Sequence, residues 1–171
     1  MGQTRSTTAG SAVAEKGVSY GDGGRVTRCL FCDFASRALP KDLLYEDDVV
    51  VVFHPLGNAA KQHVLVVPKR HVKTVDQLRA PDLELLDRMR SAGEKVLQQW
   101  GGGGRTQLSF HVPPFNSIDH LHLHAFELPF RTLKGRIKYK NSTRWCASFS
   151  EMRSRVSGRT GGHQNEVVPA D

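Results

Sequence analysis

Cysteine is scarce in this chain. Its 171 residues hold three, Cys29, Cys32 and Cys146, an odd number with two set close together, which excludes the disulfide-dense framework of a small secreted domain. No run of about 20 apolar residues occurs, which excludes a membrane-spanning helix, and no segment has the build of a secretory h-region. A soluble protein of a reducing compartment is expected, cytoplasmic with the nucleus as the alternative. A phosphate-binding loop is missing too. Gly101 to Gly104 are four successive glycines, but no Lys-Ser or Lys-Thr follows them and they leave a helical segment instead of opening one, so they read as a helix stop. Acidic residues are nearly absent from Arg131 to Arg159, where nine Lys or Arg face the single acid Glu151 within a chain of net charge +7. The basic character therefore belongs to the C-terminal segment. Such a patch either attracts a phosphate-rich ligand or nucleic acid, or is simply a solvated face.

What is present alternates between strand and helix signals. Residues 1–27 are rich in Gly, Ser, Thr and Ala with no sustained period, so a flexible arm is expected there, and a disordered tail over residues 156–171. The opening Met1-Gly2-Gln3-Thr4-Arg5-Ser6 satisfies the N-myristoylation pattern at Gly2, although a single acyl chain anchors only marginally. Val49–Phe53 and Val64–Val67 are β-branched runs of strand length, and Pro55, Gly57 and Asn58 between them supply turn chemistry for an antiparallel pair. Pro81–Trp100 reads as a helix, with Pro and the acids Asp82 and Glu84 in its first turn. Its stripe of Leu85, Met89, Val96 and Trp100 fits either the core or a homodimer interface. Thr106–Val112 is a further strand, cut by Pro113 and Pro114, and His120–Phe126 follows. Together these define an α+β domain with a mainly antiparallel sheet.

The last of these strands carries the chemistry. His120, His122 and His124 occupy every second position around Leu121 and Leu123, three of the eight histidines in the chain. In an extended strand successive side chains alternate faces, so the three rings project from one side and the two leucines from the other. Imidazole, with an unperturbed pKa near 6.5, serves as nucleophile, proton donor or metal ligand without large tuning.

Read with its neighbours, this run resembles the histidine triad superfamily of nucleotide hydrolases and transferases. The resemblance rests on Cys29-Leu30-Phe31-Cys32, Leu44-Tyr45-Glu46-Asp47, His63 to His71 and the triad run itself, in that order from about Cys29 to Phe130. Phe110 to Ser117 and the basic segment ending near Trp145 look most like the histidine triad nucleotide-binding (Hint) branch in its longer eukaryotic form. It implies a histidine triad fold over residues 28–130, with one long helix and a short N-terminal helix, and a basic extension over 131–155 packed on or near it. It also implies displacement at the α-phosphorus of an adenosine 5'-phosphoramidate or related compound. His122 would attack to form a nucleotidyl-histidine that water hydrolyses, with no catalytic cofactor. His124, about one pleat repeat away, His63 and Ser117 would bond the phosphoryl oxygens and the leaving group.

By family position Leu30, Phe31, Phe34, Phe53 and Leu56 would line an apolar nucleoside pocket, His54 would lie near the sugar and base, His111 would substitute as a donor for a family Asn near that position, and Asn116 would stand with Phe115 in the loop before the triad, where relatives often carry Gly and Gln. Relatives usually place an Asp for the ribose hydroxyls where this chain has Pro55, so ribose recognition departs from the family pattern. Cys29 and Cys32, with His71 and His120, match the ligands of a structural Zn²⁺ in some relatives; two reduced buried thiols are the other reading. Two further functions stay open at this point. One is a metalloenzyme using the three histidines as ligands. The other is a nucleotide sensor or nucleic-acid-adenylate hydrolase using the basic segment, against which the lack of a zinc-finger pattern after the triad counts.

Overall fold

The computed structural model describes residues 13–101 and 103–159; Gly2 and the end of the chain beyond residue 159 lie outside them. The frame is a six-stranded sheet in the order β4-β5-β6-β8-β7-β9, antiparallel at every ladder. The strands are β4 (Leu43–Glu46), β5 (Val50–Phe53), β6 (Ala60–Pro68), β7 (Thr106–His111), β8 (Leu123–Phe130) and β9 (Cys146–Ser148). Both faces are covered, which explains why β5 and β6 read as unbroken apolar runs. Val50, Val52, Val64 and Val66 point into one core, and Val51, Phe53, Leu65 and Val67 into the other, the period-two alternation of a strand.

The first core is closed by α2 (Leu83–Gln99), which buries Leu85, Leu86, Met89, Ala92, Val96 and Leu97 against the sheet. Leu85, Met89 and Val96 of the apolar stripe are thus buried inside the chain, and Trp100 packs against the same core while remaining partly exposed. Gly93 permits the approach: a Cβ there would stand 3.1 Å from both Ala125 Cβ and Val66 Cγ2. Pro81 sits in a short 3₁₀ turn, Ala80–Asp82, so the α-helix proper begins two residues after it. Among the described residues no helix is long and apolar enough to cross a membrane.

Three expectations are corrected. The N-terminal arm is structured from Val13: β1 (Val13–Glu15), β2 (Val18–Tyr20) and β3 (Val26–Cys29) form a small antiparallel sheet, and Val18 is buried. Its first hairpin turns through Lys16 and Gly17, both at positive φ (44° and 71°), the conformation of a tight two-residue turn. Strands this short, among Gly and Ser, carry too little period to be recognised by pattern. The tail likewise starts later than expected. Helix α4 (Phe149–Ser157) carries Val156 fully buried in the first core, opens with a Ser148–Glu151 capping box, and is tied to α2 by Arg153 bonding both carboxylate oxygens of Asp87 at 2.9 Å. Third, β8 begins at Leu123, so His120 and His122 stand on irregular chain just before it. Leu121 and Leu123 still enter the helix-side core.

Candidate active site

The second face of the sheet carries the site. Helix α1 (Leu30–Ala35) follows β3 without a break, and α3 (Leu133–Lys138) follows β8 after a turn capped by Thr132 Oγ1, which accepts from the Gly135 amide at 3.0 Å. Between them opens a cavity of about 540 Å³, within the range of small-molecule sites. Leu30, Phe31, Phe34 and Phe53 form an apolar slot on one side, with Phe53 edge-on to Phe31 and Phe34 at 5.5 and 5.6 Å. The His122 and His124 rings stand at its inner wall, 5.0 Å apart.

Each ring has a defined role in the hydrogen-bond network. His122 Nδ1 lies 2.7 Å from the His120 carbonyl oxygen. A carbonyl only accepts, so Nδ1 carries the proton and Nε2 keeps its lone pair. Phe31 packs edge-on against this ring at 5.5 Å. His124 Nδ1 is 3.0 Å from His63 Nε2, and its own Nε2, buried, has no protein partner among the described residues. His63 is sandwiched on Phe126 at 4.3 Å. Burial pushes His63 down to about 3 and, together with the neighbouring His122, His111 down to about 4. It also lowers His122, and it drives His124 well below the ordinary imidazole value. All four rings are therefore neutral at pH 7.

His120 has turned to a different task. Its Nε2 donates to the Pro68 carbonyl at 2.9 Å, which leaves Nδ1 as a lone-pair donor 3.2 Å from Cys29 Sγ and 3.5 Å from Cys32 Sγ. His71 Nδ1 is 3.5 Å from Cys32 Sγ. The four ligand atoms lie within 4.8 Å of one another. Two sulfurs and two imidazole nitrogens, one of them fixed as acceptor by a carbonyl on its far side, fit a closed tetrahedral zinc site. This arrangement separates the histidines of the motif. The trio within ligand distance at the inner wall is His111, His122 and His124, so the expected set of His120, His122 and His124 around one metal is not formed.

The remaining expected residues divide. Ser117 lines the cavity, and Leu56 stands fully exposed at its rim. His54 borders the cavity but stacks its ring on Trp100 at 5.2 Å and 7° between planes, away from the apolar slot. Two expected pocket residues lie outside it. His111 packs edge-on to His124 at 4.8 Å and against Tyr139 at 5.1 Å, because β7 places it beside the histidines and not at the opening. Asn116 is buried and used up within its loop, donating to the Ile118 carbonyl at 3.0 Å and Asp119 Oδ1 at 2.8 Å and accepting from Lys16 Nζ at 3.2 Å. Lining residues that sequence reasoning missed include Lys41, Gly57 to Ala59, Leu65, Ile118 and, from the basic segment, Thr132, Lys134, Gly135, Lys138 and Tyr139. Only the charge of that segment hinted at them.

Comparison with known proteins accords with this geometry. Residues 28–139 match the family described as scavenger mRNA decapping enzyme C-term binding. The bifunctional adenosine 5'-phosphosulfate phosphorylase/adenylylsulfatase HINT4 of Arabidopsis thaliana is 41% identical over 115 residues, 66% of this chain and 79% of that one. The adenosine 5'-monophosphoramidase HINT3 of Xenopus tropicalis is 35% identical over 131 residues, 72% of this chain and 84% of its own. A HIT family hydrolase from Legionella pneumophila superposes with a TM-score of 0.57 at 28% identity, over 63% of this chain and 99% of that structure. The chain belongs to the histidine triad superfamily. Within the superfamily its place is in the Hint-like branch.

Proposed function

We propose that this protein hydrolyses adenosine 5'-phosphoramidates, or related compounds, at the α-phosphorus through a nucleotidyl-His122 intermediate. The observation that carries the reading is the 2.7 Å bond from His122 Nδ1 to the His120 carbonyl, which leaves a buried, neutral Nε2 as a nucleophile at the wall of an apolar slot. In the first step Nε2 attacks phosphorus and the bond to the leaving nitrogen breaks, the departing amine taking a proton from solvent water; the Ser117 hydroxyl lines the same cavity and would hydrogen-bond the departing nitrogen. With His63 Nε2–H donating to His124 Nδ1, His124 presents Nε2–H to a phosphoryl oxygen as charge builds on it. In the second step water attacks phosphorus, the bond to His122 breaks, and a nucleoside monophosphate leaves. Dividing one difficult displacement into two is the gain of covalent catalysis. The purine stacks among Phe31, Phe34 and Phe53. The names of HINT3 and of the purine nucleoside phosphoramidase of Escherichia coli, 28% identical over 98 residues, support the substrate class.

Cys29, Cys32, His71 and His120 would hold a structural Zn²⁺ that pins α1 to the chain entering β8. A closed four-ligand site of this kind fixes geometry and activates no water. The test of the main reading is His122→Ala. Turnover of adenosine 5'-phosphoramidate should fall by a factor on the order of 10³ or more, reactions quenched with denaturant at alkaline pH should show nucleotide on the native protein and none on the variant, and the mononucleotide should still bind. Retained turnover refutes the assigned nucleophile.

A further inference from the structure

Among the described residues the lining of the cavity carries three lysines, Lys41, Lys134 and Lys138, and no carboxylate. None of the three forms an ion pair among the described residues, although ten such pairs occur elsewhere. Their positions differ. Lys41 lies over the Phe34 and Phe53 rings, 5.6 and 5.3 Å from their centroids, at the apolar slot. Lys134 and Lys138 are four residues apart on α3, the spacing that stacks side chains on one helix face, and like charges so placed repel. Tyr139, next along the chain, packs on His124 at 4.9 Å. Lys138 Nζ stands 5.2 Å from the centre of the Tyr139 ring, which puts it at the His124 end of the cavity, and Lys134, one helical turn earlier, lines the same cavity. At that end the His124 ring stands at the inner wall, and its buried Nε2 has no protein partner among the described residues.

We infer that Lys134 and Lys138 form an anion subsite for the leaving group, so that this enzyme favours nucleotides whose group displaced from the α-phosphorus is itself anionic, a sulfate, phosphate or carboxylate, over those that release a neutral amine. The inference rests on the hydrolase reading above. With the nucleoside in the aromatic slot and the α-phosphorus at His122, the lysine-lined end is the space left for the displaced group. The chemistry agrees. When His122 Nε2 attacks an adenylyl sulfate, the phosphorus–oxygen bond breaks and sulfate departs with the electron pair, needing no proton. The charge gathering on it is met by two ammonium groups that, although exposed to solvent, line the same cavity. An amine leaves only with a proton, and two nearby cations give it no help.

The experiment compares kcat/KM for adenosine 5'-phosphosulfate and adenosine 5'-phosphoramidate in the full chain. The ratio of the two should fall by about ten-fold or more in the Lys134→Gln/Lys138→Gln double variant, and Lys138→Arg, which keeps the charge, should preserve it. A parallel fall for both substrates would place the lysines on the nucleotide's own phosphate and overturn the subsite, as would an unchanged ratio. Should the native chain turn over neither compound, the hydrolase reading fails. Equilibrium binding then decides the subsite separately. A stronger hold on the phosphosulfate than on the phosphoramidate, abolished in the double variant, upholds it, and equal affinities reject it.

Discussion

Replacing His63 by Phe isolates one proton in the stability of the fold. The ring is 1% exposed, stacks on Phe126, and is pushed by burial down to about 3, whereas in the unfolded chain it titrates near 6.5. Because the folded value is the lower one, the unfolded chain takes up the proton first. Stability is then complete above about pH 7.5 and is withdrawn as pH falls through about 6.5 toward 3. Between about pH 7.5 and about pH 5 the linkage relation assigns this one group about 2 kcal/mol. That figure depends little on the folded value, since at about pH 5 the folded ring is already neutral. Phe keeps the aromatic stack and removes the titration. Urea unfolding of both proteins at the two pH values should show the native chain losing about 2 kcal/mol more than His63→Phe. Absolute stability falls in the variant because His124 Nδ1 loses its 3.0 Å partner, but only the difference of differences is read, and losses common to both proteins cancel. Equal losses would mean that the buried ring is charged in the fold or hydrated, and the neutral histidine cluster would be wrong.

Two other perturbations test the supports of the site. The purified chain should contain about one zinc ion, absent in Cys32→Ser, and a strong chelator should lower its Tm. Phosphoramidate turnover by metal-stripped protein that is still folded is expected to persist; a metal-free native chain refutes the zinc site, and turnover that tracks metal content refutes the metal-independent nucleophile. Lys16→Met removes the bonds from Lys16 Nζ to the Pro114 carbonyl at 2.9 Å and Asn116 Oδ1 at 3.2 Å, which hold the loop carrying Ser117. With Lys16 itself exposed, they are worth about 1 kcal/mol, whereas a displaced Ser117 should cut kcat by about three-fold or more with less effect on KM. An unchanged kcat would show that the hairpin does not position the loop.

The parts of this molecule legible from sequence are those set by neighbours along the chain. Period two in Val50–Phe53 and Val64–Val67 fixes which side each residue takes, and both faces of both strands behave accordingly. The stripe of α2 and its glycine stop follow from the same local geometry. The turn at Lys16–Gly17 and the three short strands around it were not legible, because what stabilises them is remote: the Gly17 carbonyl accepts from Leu30 and the Lys16 carbonyl from Asp119. The same holds for Lys134, Lys138 and Tyr139. The charge of the two lysines was visible, but only the antiparallel run of β8 beside β6, with Arg131 Nε donating to the Ala60 carbonyl at 2.7 Å, brings α3 across the cavity.

The histidine run shows where local pattern stops being sufficient. Alternation places His120, His122 and His124 on one side of the chain, and the leucines between them are in the opposite core as it requires. It does not say what each ring meets on that side. Because β8 begins only at Leu123, the chain is still free to diverge at His120, and the Pro68 carbonyl and the Cys29–Cys32 pair draw that ring to the end of β6. His122 is left with the His120 carbonyl for its Nδ1 proton, and His124, inside the ladder, with His63 across the register at Leu65–His124. Three chemically identical residues thus meet three different sets of partners, and the roles of ligand, nucleophile and donor proposed for them follow from those three backbone environments. A substitution that extended β8 back through His122 would shift these environments together, which is why the irregular chain ahead of the strand belongs to the chemistry of the site as much as the rings do.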